Sequence, residues 1–132
     1  MPQEVVLVVD DNPDQMAIAS ALLEHAGFVV LQASGAAAAD ALLDQHCPQL
    51  ILLDLNMPEK SGLDWLRELA GRECAADMRI AAYTSFGDVY DGQLRAMGVR
   101  AVIDKGGTPR QFIEGIREAL QSPPIGARAQ SS

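Results

Sequence analysis

Residues 50–62, Leu50-Ile51-Leu52-Leu53-Asp54-Leu55-Asn56-Met57-Pro58-Glu59-Lys60-Ser61-Gly62, contain the run that decides the fold. Four consecutive large aliphatics without alternation describe a strand buried on both faces, and such strands belong to parallel sheets covered by helices. The run ends at a carboxylate. Pro58, with its fixed φ, and Gly62, suited to a tight turn, then shape the segment that follows. Working outward, short apolar runs recur at Val5–Val9, Phe28–Leu31, Ile80–Tyr83 and Ala101–Ile103. Helix signals fill the intervals. Asn12-Pro13-Asp14-Gln15 supplies an N-cap, a proline at the first helical position and Gln at the third, and Gly27 closes that helix. Ser34 is expected to cap a helix over Ala36–Asp44, Ser61-Gly62 to open one through about Gly71, and Asp88 to open one that ends at Gly98. Thr108-Pro109-Arg110-Gln111 repeats the starting device before an apolar stripe of Phe112, Ile113, Ile116, Ala119 and Leu120. Five βα units with right-handed crossovers make a three-layer α/β sandwich around a parallel five-stranded sheet.

The chain has 132 residues, 48% of them hydrophobic, which fits one domain with its own core. That domain is expected to span 1–121, and residues 122–132, opening with Ser122-Pro123-Pro124, read as a flexible tail or the start of a linker. No aliphatic run near the N-terminus approaches the ~20 residues of a membrane span, and the start lacks a basic n-region. The expectation is a cytoplasmic protein without membrane insertion. Cys47 and Cys74 read as isolated thiols, in keeping with a reducing compartment. Ten basic against 18 acidic residues give a net charge of −8. That charge disfavours direct nucleic acid binding, because phosphate backbones need a basic face. It suits cations and cationic or phosphorylated partners, and equally a solvated acidic surface.

In an open parallel sheet ligands bind beyond the carboxyl ends of the strands, so the informative residues are those that stop each apolar run. They are Asp10-Asp11, Asp54, Thr84 and Lys105. Unit charges ~4 Å apart repel by about 4 kcal/mol per pair at an effective dielectric near 20, so three converging carboxylates need a counter-charge. A few carboxylates plus waters form the all-oxygen set that Mg²⁺ takes. Lys105 adds a second positive charge. A metal and an ammonium flanking one carboxylate suit a phosphoryl group, because both neutralise its oxygens while the carboxylate attacks phosphorus.

The series Val9-Asp10-Asp11, Leu53-Asp54-Leu55-Asn56-Met57-Pro58 with Gly62, Tyr83-Thr84-Ser85 and Asp104-Lys105 resembles the receiver domain of bacterial two-component response regulators over residues 4–121. The resemblance implies a flavodoxin-like (βα)5 fold of strand order 2-1-3-4-5, one Mg²⁺, and phosphoryl transfer from a partner histidine kinase or phosphotransfer protein. Asp54 is then the phosphoacceptor. Asp11 binds Mg²⁺ directly, Asp10 mainly through water, and Asp54 and the backbone carbonyl of Asn56 complete the protein ligands. Thr84 and Lys105 hold the phosphoryl oxygens, Met57, Pro58 and Gly62 shape the loop, and Asn56 and Phe86 flank the path of the hydrolytic water. The face made by the fourth helix, fifth strand and fifth helix of this reading carries the signal to a downstream protein target or a fused output domain outside this chain.

Two positions depart from the family pattern. Val102 stands where many receivers carry an aromatic switch residue, and it also fits a core strand position. Gly106 follows Lys105 where many receivers have a cis proline, and a cis bond before a non-proline costs ~2.5–4 kcal/mol. Phe86 has two readings, a cover over the phosphoryl group or a packing or partner-contact residue. The protein reads as a signalling module and not as an enzyme. A phosphate-independent pseudo-receiver is the alternative, against which the full set of acids, Thr84 and Lys105 weighs. An aspartyl phosphohydrolase commonly needs a second acid two residues after the nucleophile, where this chain has Asn56.

Overall fold

The computed structural model describes residues 4–54, 62–69, 78–84, 99 and 101–121. Strands β1 (Val5–Val9), β2 (Val29–Ala33), β3 (Leu50–Leu53), β4 (Arg79–Thr84) and β5 (Ala101–Asp104) form one sheet in the order β2-β1-β3-β4-β5. Every pairing is parallel. Helices α1 (Pro13–His25), α2 (Ala36–Leu43), α3 (Gly62–Leu69) and α4 (Pro109–Gln121) cover it. The expected helix over 88–98, the end of the third helix and the tail over 122–132 lie outside the described residues.

Alternation along the strands sorts the core into two layers. Leu7, Val9, Ile51, Leu53, Ile80 and Ala82 face a cluster with Ala39 and Leu43 of α2 and Trp65, Leu66 and Leu69 of α3. Val6, Val8, Leu50, Leu52, Ala81, Tyr83 and Ile103 face the other cluster, with Met16, Ala19 and Leu23 of α1 and Phe112, Ile116 and Ala119 of α4. The unbroken apolar runs of β1 and β3 are thus explained, since every residue of β3 is buried. Helices α2 and α3 are tied together where Trp65 Nε1 donates to Asp40 Oδ1 at 2.9 Å.

Helix starts follow their caps. Asn12 Oδ1 accepts from the backbone N–H groups of Asp14 (2.9 Å) and Gln15 (3.2 Å). At α4 the capping is reciprocal: Thr108 Oγ1 accepts from Gln111 N at 3.1 Å, and Gln111 Oε1 accepts from Thr108 N at 2.9 Å. Gly27, with φ +98°, ends α1 in a left-handed turn in which Phe28 N donates to Leu23 O and Gly27 N to Glu24 O. Because Phe28 is used in that turn, β2 starts at Val29 instead of Phe28 and its ladder runs on to Ala33 opposite Val9. Ser34 is not the cap of α2. Ala39 N donates to Gly35 O, so Gly35 occupies the cap position and makes no side-chain cap bond.

Candidate phosphoacceptor and metal site

The sheet register builds the site. Val9 is paired with Leu53, so the next residues, Asp10 and Asp54, leave the sheet side by side. Asp54 N donates to Val9 O (2.9 Å) and Asp10 N to Ala33 O (3.1 Å), which carries the backbone order of the strands into the two acids. This is also where the strand order reverses, with β2 on one side of β1 and β3 on the other. Carboxylate oxygens of Asp10, Asp11 and Asp54 lie within 4.8 Å of one another, with Asp10 and Asp54 buried and Asp11 exposed. Three hard oxygen donors at that spacing, open to solvent on the Asp11 side, fit a Mg²⁺ that keeps several waters.

Lys105 closes the cluster from β5. Its Nζ is 3.3 Å from Asp10 Oδ2 and 3.5 Å from Asp54 Oδ1, and its side chain is 16% exposed. The two oxygens of Asp10 have separate partners, since Oδ1 accepts from Asn12 N at 2.9 Å. One carboxylate therefore ties the start of α1 to the lysine. Thr84 is buried at the end of β4, opposite Asp104, and its carbonyl accepts from Lys105 N at 3.3 Å. Beyond β5, Asp104 Oδ1 accepts from Gly106 N at 2.7 Å. The Lys105–Gly106 peptide bond is trans.

The sequence-predicted residues Asp10, Asp11, Asp54 and Lys105 are thus brought together, and Thr84 stands at the adjoining strand end. Gly62 begins α3. Asn56, Met57, Pro58 and Phe86 lie outside the described residues. Val102 is half-buried and packs with the α2/α3 cluster, as a strand residue does. Cys47, in the segment between α2 and β3, is disulfide-bonded, which corrects its reading as an isolated thiol. His25 and His46 are both exposed.

One residue of the site is not evident from sequence. Tyr83 sits in an apolar run and reads as core, yet its ring lies 5.5 Å from Lys105 Nζ, and Phe112 of α4 packs against it edge-on at 5.3 Å and 67°. Burial first, then the negative charges of Asp10 and Asp104, push the Tyr83 phenol above its ordinary pKa of 10.0. The signal that would reveal it is the register, which sets Tyr83 beside Ile103, two residues before Lys105.

A parallel sheet of order β2-β1-β3-β4-β5 with carboxylates just after β1 and β3 and an ammonium just after β5, all at its carboxyl end, defines a flavodoxin-like α/β domain. Within that class the chain belongs to the response regulator receiver domain family, whose sequence profile matches residues 6–117. It is 32% identical over 116 residues to the polar-differentiation response regulator DivK of Brucella ovis, covering 87% of this chain and 94% of DivK. It is 30% identical over 123 residues to the phosphate regulon transcriptional regulatory protein PhoB of Pseudomonas aeruginosa, covering 92% of this chain and 53% of PhoB. The chemotaxis response regulator CheY4 of Vibrio cholerae superposes with a TM-score of 0.82 at 21% identity, over 89% of this chain and 99% of CheY4, and shares the fold. Receiver domains of two-component systems serve phosphorylation-dependent signalling. No described helix is long and apolar enough to cross a membrane.

Proposed function

We propose that this chain is a cytoplasmic phosphorylation switch in which Asp54 accepts a phosphoryl group from a histidine kinase or phosphotransfer protein. The observation that carries this reading is Lys105 bridging Asp10 and Asp54 inside a three-carboxylate cluster. An oxygen of Asp54 forms its bond to phosphorus as the bond from phosphorus to the donor histidine nitrogen breaks, and that nitrogen keeps the electron pair. Asp10, Asp11, Asp54 and the Asn56 carbonyl hold Mg²⁺, which when bound neutralises phosphoryl oxygens. Lys105 moves from the carboxylate to those oxygens, and Thr84 donates its hydroxyl to them. Met57, Pro58 and Gly62 shape the adjoining loop, while Asn56 and Phe86 set how readily water reaches phosphorus. The receiver spans 1–121 with 122–132 as tail or linker, and the altered face acts on a protein target or a fused output domain.

Intact-mass measurement after incubation with acetyl phosphate and Mg²⁺ tests this reading. One addition of ~80 Da, the mass of a single phosphoryl group, is expected. An unchanged mass under conditions that preserve acyl phosphates would leave a phosphate-independent interaction domain as the better description.

A further inference from the structure

Among the described residues Lys105 has two anionic partners, Asp10 and Asp54. At 3.3 Å the hydrogen bond to Asp10 and at 3.5 Å the ion pair with Asp54 are longer than the ~2.7–2.9 Å of a strong charge-assisted hydrogen bond, so a further contact adds to what sets the ammonium's position. Four rotatable bonds leave such a side chain many alternatives. A third contact lies on the α1/α4 side of the sheet. Tyr83 is paired with Ile103 of β5, and Lys105, one residue past the end of that strand, brings its ammonium to 5.5 Å from the centre of the Tyr83 ring. An aromatic face attracts a cation within about 6 Å, most strongly where water is excluded, and Tyr83 is 5% exposed. The ring is itself clamped, because Phe112 meets it edge-on. Phe112 is held there by a close approach of α4 to β5: a Cβ at Gly115 would lie 2.6 Å from Ile103 Cγ1.

We infer that Tyr83 is a positioning residue, whose ring holds Lys105 over the Asp10–Asp54 pair and, through Phe112, makes the placement of α4 part of that hold. The inference rests on the phosphoacceptor reading above for its consequence, but the contact itself does not depend on that reading. A leucine would fill much of the same space and offer no quadrupole. Coupling of this kind runs both ways, so a partner that shifts α4 also shifts Lys105.

The test compares wild type, Tyr83→Phe, Tyr83→Leu, Lys105→Ala and the Tyr83→Leu/Lys105→Ala double variant for the rate of mass gain with acetyl phosphate at saturating Mg²⁺. Tyr83→Leu is expected to slow the reaction about three- to tenfold, and Tyr83→Phe, which keeps the ring, to restore it to within about twofold. In the Lys105→Ala background Tyr83→Leu should change the rate less than twofold. An equal fractional loss in both backgrounds would mean that Tyr83 only supports the fold, and the inference would be wrong. Urea unfolding of wild type, Tyr83→Leu, Lys105→Ala and the double variant is read in parallel. If wild type gains no phosphoryl group, the phosphoacceptor reading fails and unfolding alone decides: non-additivity of threefold or more in the unfolding constant supports the contact, and additivity overturns it. Should Tyr83→Leu not fold, Tyr83→Met takes its place in both cycles.

Discussion

Asp10 shows how much one side chain can be asked to do, since its two oxygens face different tasks. Oδ1 secures the N–H of Asn12, the cap of α1, and Oδ2 faces Lys105. Asp54 and Asp11 are the positions at which nucleophile and metal ligand can be separated. Asp54→Asn is expected to abolish the ~80 Da gain. Asp11→Ala should slow the gain and raise the Mg²⁺ concentration at which it is half-maximal, because it removes a ligand and leaves the nucleophile. Modification of Asp54→Asn at the wild-type rate would place the acceptor elsewhere. Lys105→Ala should still bind Mg²⁺, as read by calorimetry, because an ammonium is not a ligand. Tyr83 gives a separate pH signature. Its phenol titrates above 10.0 in the folded state, so the unfolded chain loses this proton first, and the slope of stability with pH is negative from about pH 10 upward. The stabilisation is complete below pH 10 and is lost as pH rises through the raised folded value. Tyr83→Phe should therefore lose less stability than wild type between pH 9.5 and 11 in thermal melts. Parallel curves would show that another group governs the alkaline limb.

Among the elements, α4 is the most informative because two of its features pull against each other at Gly115. Glycine inside a helix costs ~1 kcal/mol relative to alanine, so Gly115→Ala ought to help the isolated helix. Against the sheet it forces a methyl to within 2.6 Å of Ile103 Cγ1 and 2.9 Å of Cδ1, an overpacking that typically costs 1–3 kcal/mol. The steric cost wins, and Gly115→Ala should lower stability by roughly 1 kcal/mol in urea unfolding. A more stable variant would mean that α4 lifts off β5 without penalty. Elements were legible in the sequence wherever burial on both faces or a capping pair wrote them plainly. β1 and β3 match their apolar runs residue for residue, and both proline-started helices begin at the expected residue. β2 was displaced because it is an edge strand whose boundary is set by the C-terminal turn of α1, a tertiary choice between two uses of Phe28. Ser34 has the right chemistry for the cap of α2 but stands one residue before the cap position, which Gly35 occupies. In the site, the acids and Lys105 were legible as charges that interrupt apolar runs. Tyr83 was not, because its partner is 22 residues away and the contact exists only through the β4–β5 register.

For the whole molecule, the gathered acids are a liability that a bound cation should relieve. The protein carries a net charge of −8, and three of its carboxylates have oxygens within 4.8 Å of one another, with only Lys105 bridging two of them among the described residues. Folding assembles this repulsion and unfolding releases it, so a ligand that binds only the folded site must raise stability. At a free Mg²⁺ concentration 100 times Kd the gain is about 2.7 kcal/mol. For a domain of this size that corresponds to a rise in Tm of roughly 10 °C. Ordinary salt also screens the acidic surface, with a Debye length of ~10 Å at 0.1 M, so a rise in Tm alone does not prove a site. The two effects differ in shape and in location. Site binding saturates and depends on Asp11, whereas screening grows smoothly with ionic strength and is nearly indifferent to one exposed carboxylate. Melting curves of wild type and Asp11→Ala in MgCl₂ and in NaCl of matched ionic strength separate them. Wild type is expected to show a saturating increment in Mg²⁺ beyond the NaCl curve, and Asp11→Ala to need a much higher Mg²⁺ concentration for the same increment. Coincident Mg²⁺ and Na⁺ curves for wild type would mean that the cluster tolerates its charge through Lys105 and solvent alone, and the metal would have to be removed from the proposed mechanism.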